Sequence, residues 1–510
     1  MGVNNRALVR RLRAWSVGGP VAKGTTVQVG ISDQKNRFLL AFIRMGGESR
    51  PWGVAWKSGN GAIKVRTCAE PRMRDFVDEM LLELSEDLAA HLGHPYYDTV
   101  VQPGKDHRVG QGDLPQVWVP NSSHIDMLHF LSYAYIRRKG DTEADVSLRM
   151  LGRTSLHLFL ESRRPGQQLI IESSAALRSA YDFPCEDARQ GHIGLLLSWL
   201  ENRTNRDRGL AAAKEAEQLP IGTSLDPEME RKPLSALVEK YNNSREGYGR
   251  GDKKIEKNIH EVLKPELVRR LELVAQAIAV LENDERDYNG GLDELVHATA
   301  SQLYWDYLRP EERAIDEGKE PFAVSPETDW NARNAAGRFY RHSAAQDRER
   351  NALIHFDREL EAEAINAGSA FRGVVTSVSD EGTTRSTVPV WTILDHTPGA
   401  LSFRVWDKVC IVGAPKRQAV IRDIEPHADG SLAITIEITN LKKSVSDAEW
   451  PHRMAGADPS WLGLAVTIIG TSFADMTEKK ALKARSFESS PADWLIDRIS
   501  QRPVTAGDDE

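Results

Sequence analysis

Cysteine is scarce in this chain, and the few that occur exclude a fold held together by disulfides. Cys68, Cys185 and Cys410 are odd in number and far apart in a sequence of 510 residues. Such usage is typical of a reducing compartment, and it also excludes a cysteine-rich zinc site. We therefore expect a cytoplasmic protein that is stabilised by buried apolar side chains.

Long apolar runs and nucleotide-binding motifs are missing as well. The longest apolar run, LVAQAIAVL at Leu273–Leu281, falls well short of the roughly 18 residues that a membrane helix needs, so we expect no membrane partner. The basic N-terminus is not followed by the apolar stretch and cleavage site of a secretory signal. No GxxxxGK[ST] phosphate loop occurs, and the sequence points to no cofactor.

Positive charge is in deficit overall but concentrated at the N-terminus. The net charge of −8 excludes a surface that is broadly adapted to nucleic acid. The first 31 residues nevertheless hold no carboxylate and five cations: Arg6, Arg10, Arg11, Arg13 and Lys23.

Within NNRALVRRLRAW, the residues Leu8, Leu12 and Trp15 have helical spacing, which predicts an amphipathic helix. Its arginines, Arg10, Arg11 and Arg13 among them, could face phosphate or a lipid surface. The alternative, which we favour, is a helix docked by its apolar stripe with its arginines in water.

The patterning along the chain predicts an α+β multidomain protein. We expect a mixed α/β domain at 1–140, a helical domain at 141–325, a long stalk helix at 326–370, a small β-barrel at 371–475, and a C-terminal helix with a disordered tail at 476–510. In the first domain, TTVQVGI, FLLAFIRM and WGVAWKS predict an antiparallel meander, which a helix and the strand QVWVP follow. In the last third, six period-2 runs without intervening helices predict the barrel.

The middle of the barrel sequence, VWDKVCIVGAPKRQAVIRDIE, holds the candidate nucleic-acid-binding residues. Lys416 and Arg417 follow a glycine that we read as a hairpin turn, and Arg404 and Lys408 precede it. Trp406 could supply a stacking face for a base, although a tryptophan in such a run is more often part of the core. The region from Phe371 to Lys443 carries nine cations and eight carboxylates, so any nucleic-acid face must be local.

Catalytic and metal-binding residues are not indicated by any motif. His124, Asp126 and His129 follow each other in NSSHIDMLHF but do not share one helix face. Glu172 in LIIESS lacks the lysine of a restriction-type nuclease motif, because Ser174 stands in its place. We therefore expect no metal site and no catalytic residues.

Two segments resemble the N-terminal region of bacterial superfamily 1 helicases. A helix over Asn331–Asn366 followed by FRGVVTSV, VPVWTIL, FRVWDKVCIVG and AVIRDIE resembles the stalk and barrel that precede the motor domains. The meander, helix and QVWVPNSSHIDML resemble the element order of an RNase H-like exonuclease domain that is fused to some of these helicases. The resemblance implies an inactive nuclease fold, since VQVGI has no carboxylate, and a separately encoded helicase or ATPase as partner.

These observations favour a non-catalytic accessory subunit of a helicase or nuclease complex that binds DNA or RNA, as in anti-phage defence or repair. Two alternatives stay open. The first is a divalent-metal nuclease that uses Asp33, Asp126 or other acids that the sequence does not single out. The second is a protein–protein scaffold without nucleic acid.

Overall fold

The computed structural model of the chain divides into two compact units, Met1–Ala323 and Val324–Glu510. It describes residues 3–470 except for gaps at 24–25, 28, 47, 49, 94–96, 103–104, 111–112, 248, 285–286, 289–290, 309, 311–315, 318–344, 347, 383–387, 396–400 and 440–460. The predicted domains 1–140 and 141–325 thus belong to one unit, and the second unit begins close to the predicted boundary at 326.

The first unit mixes helices with strands along its whole length. Its strands are β1 (Val21–Ala22), β2 (Thr26–Val27), β3 (Arg37–Arg44), β4 (Pro51–Ser58), β5 (Lys64–Thr67), β6 (Tyr97–Gln102), β7 (Lys105–Gly110), β8 (Gln116–Val119), β9 (Ile170–Glu172), β10 (Tyr181–Asp182) and β11 (Asp287–Tyr288). Its helices are α1 (Val3–Val17), α2 (Arg74–Gly93), α3 (Ser122–Tyr135), α4 (Glu143–Ser162), α5 (Ser173–Ala180), α6 (Ile193–Glu201), α7 (Arg206–Ala216), α8 (Pro227–Met229), α9 (Ser235–Asn243), α10 (Lys253–Glu282) and α11 (Gly291–Leu303). No helix in these ranges, or elsewhere in the described chain, is long and apolar enough to cross a membrane.

A five-stranded sheet of order β5-β4-β3-β8-β9 forms the centre of this unit. β3, β4 and β5 make an antiparallel meander, whereas β8 runs parallel to β3 and β9 runs parallel to β8. The carboxyl ends of β3, β8 and β9 therefore lie at one edge of the sheet, and their amino ends lie at the other.

Side-chain alternation along β3 explains why helices cover both faces of the sheet. One face packs against α2, α3 and α4 through Phe38, Leu40 and Phe42. The other face packs against α5, α6 and α10 through Leu39, Ala41 and Ile43. All six side chains are buried, and burial of each large one stabilises the fold by about 1.5–3 kcal/mol. β3 is therefore the central strand of a three-layer structure.

The meander differs from the prediction by one strand. Among the described residues of TTVQVGI, the strand is limited to Thr26–Val27, and it pairs with β11 outside the sheet. The meander instead begins with the predicted second strand, FLLAFIRM, which is β3, and continues with the predicted third strand, WGVAWKS, which is β4. Its third strand is KVRT, β5. β9, which lies within the predicted helical domain, completes the sheet.

The second unit contains the predicted barrel. Its strands are β12 (Ala370–Asp380), β13 (Pro389–Asp395), β14 (Lys408–Ile411), β15 (Ala414–Pro426), β16 (Leu432–Ile438) and β17 (Ala465–Gly470). They close in the order β12-β13-β16-β15-β14-β17 with antiparallel neighbours throughout. The barrel, together with the three-layer first unit, confirms the predicted α+β multidomain fold class.

The helix before the barrel is not continuous as predicted. Helical residues 348–354 end at a turn, and a new helix, α12 (Arg358–Asn366), begins after it. The Asp357 carboxylate accepts hydrogen bonds from the backbone N–H groups of Glu359 and Leu360, at 2.9 and 3.2 Å. An aspartate at this position favours a helix start over helix continuation, and this is why the predicted single helix is wrong here. Residues 326–344 of the predicted stalk, and the predicted tail at 476–510, lie outside the described residues.

Candidate nucleic-acid interface on the barrel

Trp406 is the most exposed large apolar residue of the described chain, with 73% of its surface accessible. It lies on the loop that leads into β14. The prediction placed it either in the barrel core or on the surface as a stacking face. The exposure excludes the core position.

The loop around Trp406 is fixed to the barrel wall by backbone hydrogen bonds. The Trp406 N–H donates to the Ile421 carbonyl at 2.7 Å, and the Ile421 N–H donates to the Asp407 carbonyl at 3.0 Å. The Asp407 carboxylate accepts from the Arg404 N–H at 2.7 Å, and the Asp407 N–H donates back to the Arg404 carbonyl at 3.0 Å. These four bonds hold the indole outward on an ordered turn.

The backbone of Trp406 is strained, with a φ of 76°. No other non-glycine residue in the described ranges has a positive φ. For a bulky L-residue this conformation costs about 1–2 kcal/mol, which the hydrogen bonds of the loop must offset. Strain of this kind concentrates at functional positions, so the exposed indole is a candidate functional side chain.

Two exposed cations flank the indole at alternate positions. Arg404 precedes Trp406 by two residues, and Lys408 follows it by two residues as the first residue of β14. The Arg404 guanidinium makes no ion pair with a described residue. This Arg404–Trp406–Lys408 set, which we call the indole loop, combines one aromatic face with two positive charges.

Arg422 on the neighbouring strand contributes little positive charge. Its guanidinium is held by Glu437 at 2.7 Å and by Glu381 at 2.5 Å. Hydrogen bonds to these two carboxylates raise the pKa of Arg422. The charge of the guanidinium is therefore balanced within the barrel wall.

Lys416 and Arg417 lie in β15, but their side chains are outside the described residues. The β14–β15 turn consists of Val412 and Gly413, with Gly413 at a φ of 85°. A register shift separates the pair Cys410–Gln418 from the pair Ile411–Ala414, so both cations fall in a bulge after the turn.

The turn itself is packed against the helical segment that precedes the barrel. The Gly413 N–H donates to His355 Nδ1 at 3.1 Å, and the Cys410 thiol lies 3.7 Å from His355 Nε2. Burial lowers the pKa of His355 to about 4, so the ring is neutral and accepts this bond at physiological pH. His355 thus holds the Val412–Gly413 turn against the segment that precedes the barrel.

Arg10, Arg11 and Arg13 lie on α1 of the first unit, whereas the indole loop belongs to the second. Arg13 is exposed, and Arg10 and Arg11 are partly buried. Leu8, Leu12 and Trp15 are exposed to a large degree, but Leu12 and Trp15 line a cavity that α1 forms with α6 and α7. The apolar stripe therefore docks α1 only in part. α1 also buries Ala14 against the unit.

The acids of the rival nuclease hypothesis are not brought together. Asp33 precedes β3 at the amino edge of the sheet, while Asp126 lies on α3, which follows the carboxyl end of β8. Glu172, at the end of β9, is near Asp126, and burial together with that charge raises the pKa of Glu172. The observed first strand of the sheet, RFLLAFIR, carries no carboxylate. Within the described residues no group of three potential ligands is placed to hold a metal ion.

Three other side chains have structural roles. Trp391 is fully buried in the barrel core, 4.7 Å from Trp461 between ring centroids, and Cys410 is buried within β14. His124 is fully buried on α3. Its Nδ1 accepts from the Phe42 N–H at 3.0 Å, its Nε2 donates to the Ile221 carbonyl at 3.0 Å, and burial lowers its pKa to about 3.

Comparisons with known proteins do not add to this geometry. No protein-family model, no curated protein and no solved structure matches the chain.

Proposed function

We propose that this protein is a non-catalytic accessory subunit of a nucleic-acid-processing complex, and that its barrel binds single-stranded nucleic acid. The indole loop carries this proposal. Its indole is held in solvent at a cost in backbone strain, between two exposed cations. Aromatic platforms with nearby positive charge are how sequence-tolerant single-strand sites engage bases and phosphates.

The size of the site favours a single strand over a duplex. An indole can stack only on a base whose face is accessible, and a base in a duplex is covered on both faces by its neighbours. One stacked base contributes about 1–3 kcal/mol. Two cations that neutralise two phosphates give a slope of log K against log salt of about −1.4 for a single strand. We therefore expect moderate affinity that falls gently with salt.

A non-catalytic role is supported by the sheet of the first unit. Asp33 and Asp126 lie at opposite edges of that sheet, so they cannot bind one metal ion together. The partner, a separately encoded helicase or ATPase, and a place in anti-phage defence follow from the helicase resemblance of the sequence. They form part of the same proposal.

A titration tests the binding function directly. Fluorescence polarisation of short labelled oligonucleotides should show binding of single strands in preference to duplex, and Trp406→Ala should weaken it roughly 5- to 150-fold. Tyr133→Ala is the matched control, because Tyr133 is also an exposed aromatic side chain but lies on α3 of the first unit. Absence of single-strand binding by the wild type would refute the proposal and favour the scaffold alternative. Cleavage of the oligonucleotide with Mn²⁺ would favour the nuclease.

A further inference from the structure

A short segment between α7 and α8 contacts the carboxyl edge of the central sheet, and the proposed nucleic-acid function does not use it. The segment is Pro220–Leu225, which we call the strap. In open α/β sheets, ligands bind outside the carboxyl ends of the strands. The anchoring of the strap therefore decides whether this edge of the first unit is open to a ligand.

Hydrogen bonds join the strap to the end of β3 and to the start of α3, the helix that follows β8. The N–H of Arg44, the last residue of β3, donates to the Thr223 carbonyl at 2.7 Å. The Thr223 N–H donates to Ser123 Oγ at 3.0 Å. The next residue of α3, His124, donates from Nε2 to the Ile221 carbonyl at 3.0 Å. The strap therefore lies against the carboxyl ends of β3 and β8.

Two neighbouring arginines of α10 bind the other carbonyl groups of the strap. Arg270 donates from Nε to the Gly222 carbonyl and from Nη2 to the Ser224 carbonyl, each at 3.0 Å. Arg269 donates from Nη2 to the Pro220 carbonyl at 2.7 Å. The strap is thus held between α10 and the ends of the strands.

The strap is buried, and its backbone acceptors are satisfied one after another. Its five consecutive carbonyl groups from Pro220 to Ser224 each accept a hydrogen bond from another element. The side chains of Ile221, Thr223 and Leu225 are only 2–3% exposed. Loops usually run over the surface, because a buried loop must find a partner for every backbone polar group. The strap meets this requirement and is fixed like an element of the core.

Arg270 makes two of the bonds to the strap, and its side chain is 0% exposed. The Glu266 carboxylate, at 3.0 Å from Nη1, balances its charge. Opening of the strap would leave two N–H groups of a buried guanidinium without acceptors, which is costly. We propose that the strap is a fixed plug, held by Arg270, which closes the carboxyl edge of β3 and β8 and opens only when the first unit unfolds. This device belongs to the first unit alone and is independent of nucleic-acid binding by the barrel.

A thiol placed in the strap measures how often the strap opens. Thr223→Cys keeps a side chain of similar size at a position that is 2% exposed. Cys68, also 2% exposed, lies in the core on the α2 face of the sheet and serves as the internal reference. The full-length protein is alkylated with N-ethylmaleimide at several urea concentrations below the unfolding midpoint, and mass spectrometry quantifies both peptides. We expect the two thiols to react at closely similar rates and with the same dependence on urea.

Replacement of Arg270 by methionine should release the strap while the sheet stays folded. In Arg270→Met, the thiol of Thr223→Cys should react roughly 10-fold or more faster relative to Cys68, because two charge-assisted hydrogen bonds are lost. Arg164→Met is the matched control, since Arg164 is also buried in the first unit but bonds to side chains of α4 and α11. In the control, both thiols should react faster together, so that the ratio of their rates is unchanged.

Two results would overturn the proposal. A strap thiol that reacts much faster than Cys68 with Arg270 in place, and with little dependence on urea, would show that the strap opens as a lid over a folded sheet. An unchanged ratio of rates in Arg270→Met, as in Arg164→Met, would show that Arg270 does not hold the strap. The first comparison needs no arginine variant, so it decides the question even where Arg270→Met fails to fold.

Discussion

Replacement of Trp406 by glycine and by alanine separates the strain of the indole loop from its function. Both variants remove the indole, but only glycine adopts a φ of 76° without steric cost. Trp406 is 73% exposed, so about a quarter of a roughly 200 Å² side chain is buried, which contributes about 1 kcal/mol. Either variant loses that contribution.

The two variants should differ from each other in stability. Relief of a positive φ contributes about 1–2 kcal/mol, and the greater freedom of glycine in the unfolded chain costs about 0.5–1 kcal/mol. We expect Trp406→Gly to be more stable than Trp406→Ala by roughly 1 kcal/mol and close to the wild type. Both should lose single-strand affinity to the same extent, because neither retains a ring.

Urea unfolding of the three proteins, followed by circular dichroism, provides the measurement. The urea midpoints of the wild type and of Trp406→Gly should be similar, and the midpoint of Trp406→Ala should be lower than both. If Trp406→Ala is as stable as Trp406→Gly, the backbone at this position is not strained, and the argument that the loop exists to present the indole fails.

Three further predictions address other parts of the molecule. Folding lowers the pKa of His355 from 6.5 to about 4, so the neutral ring contributes fully to stability above pH 6.5 and this contribution is lost as the pH falls towards 4. In urea unfolding at a series of pH values, the free energy of unfolding of His355→Gln should therefore decrease less on acidification than that of the wild type, by up to about 3 kcal/mol. Glu381→Gln should raise single-strand affinity a few-fold in polarisation titrations, because Arg422 loses one of its two carboxylate partners. A lower affinity would contradict the conclusion that Glu381 and Glu437 balance the charge of Arg422. Gly152→Ala should destabilise the first unit by about 1–3 kcal/mol in urea unfolding, since its Cβ would overlap the backbone nitrogen of Ile136. An unchanged midpoint would refute the close α3–α4 packing.

The barrel was the most predictable part of the fold, for a physical reason. Parts of β12, β13 and β16 alternate buried with more accessible side chains, as in LAITIEI of β16, so the period of the sequence indicates these strands directly. β9 has only three residues, too few to show any period, and it was therefore assigned to a helical region. The break at Asp357 could have been found, because an aspartate followed by helix-forming residues is a helix-start signal.

The candidate site was only partly predictable. Arg404, Trp406 and Lys408 were named from composition, but the run LSFRVW was read as strand because its residues favour strands. No glycine or asparagine marks the turn at Trp406, so its positive φ and its exposure are visible only in the structure. The exposure of the apolar stripe of α1 was not predicted for a related reason, since periodicity identifies an apolar face but not what that face contacts.

Ultraviolet crosslinking to a labelled single strand, followed by peptide mass spectrometry, tests the central claim most directly. Trypsin cleaves after Arg404 and after Lys408, so Trp406 is carried by the short peptide Val405–Lys408. We expect this peptide to carry the crosslinked nucleotide in the wild type and to lose it in Trp406→Ala. Crosslinks confined to other peptides, with Val405–Lys408 unmodified, would contradict the assignment of the indole loop as the nucleic-acid interface.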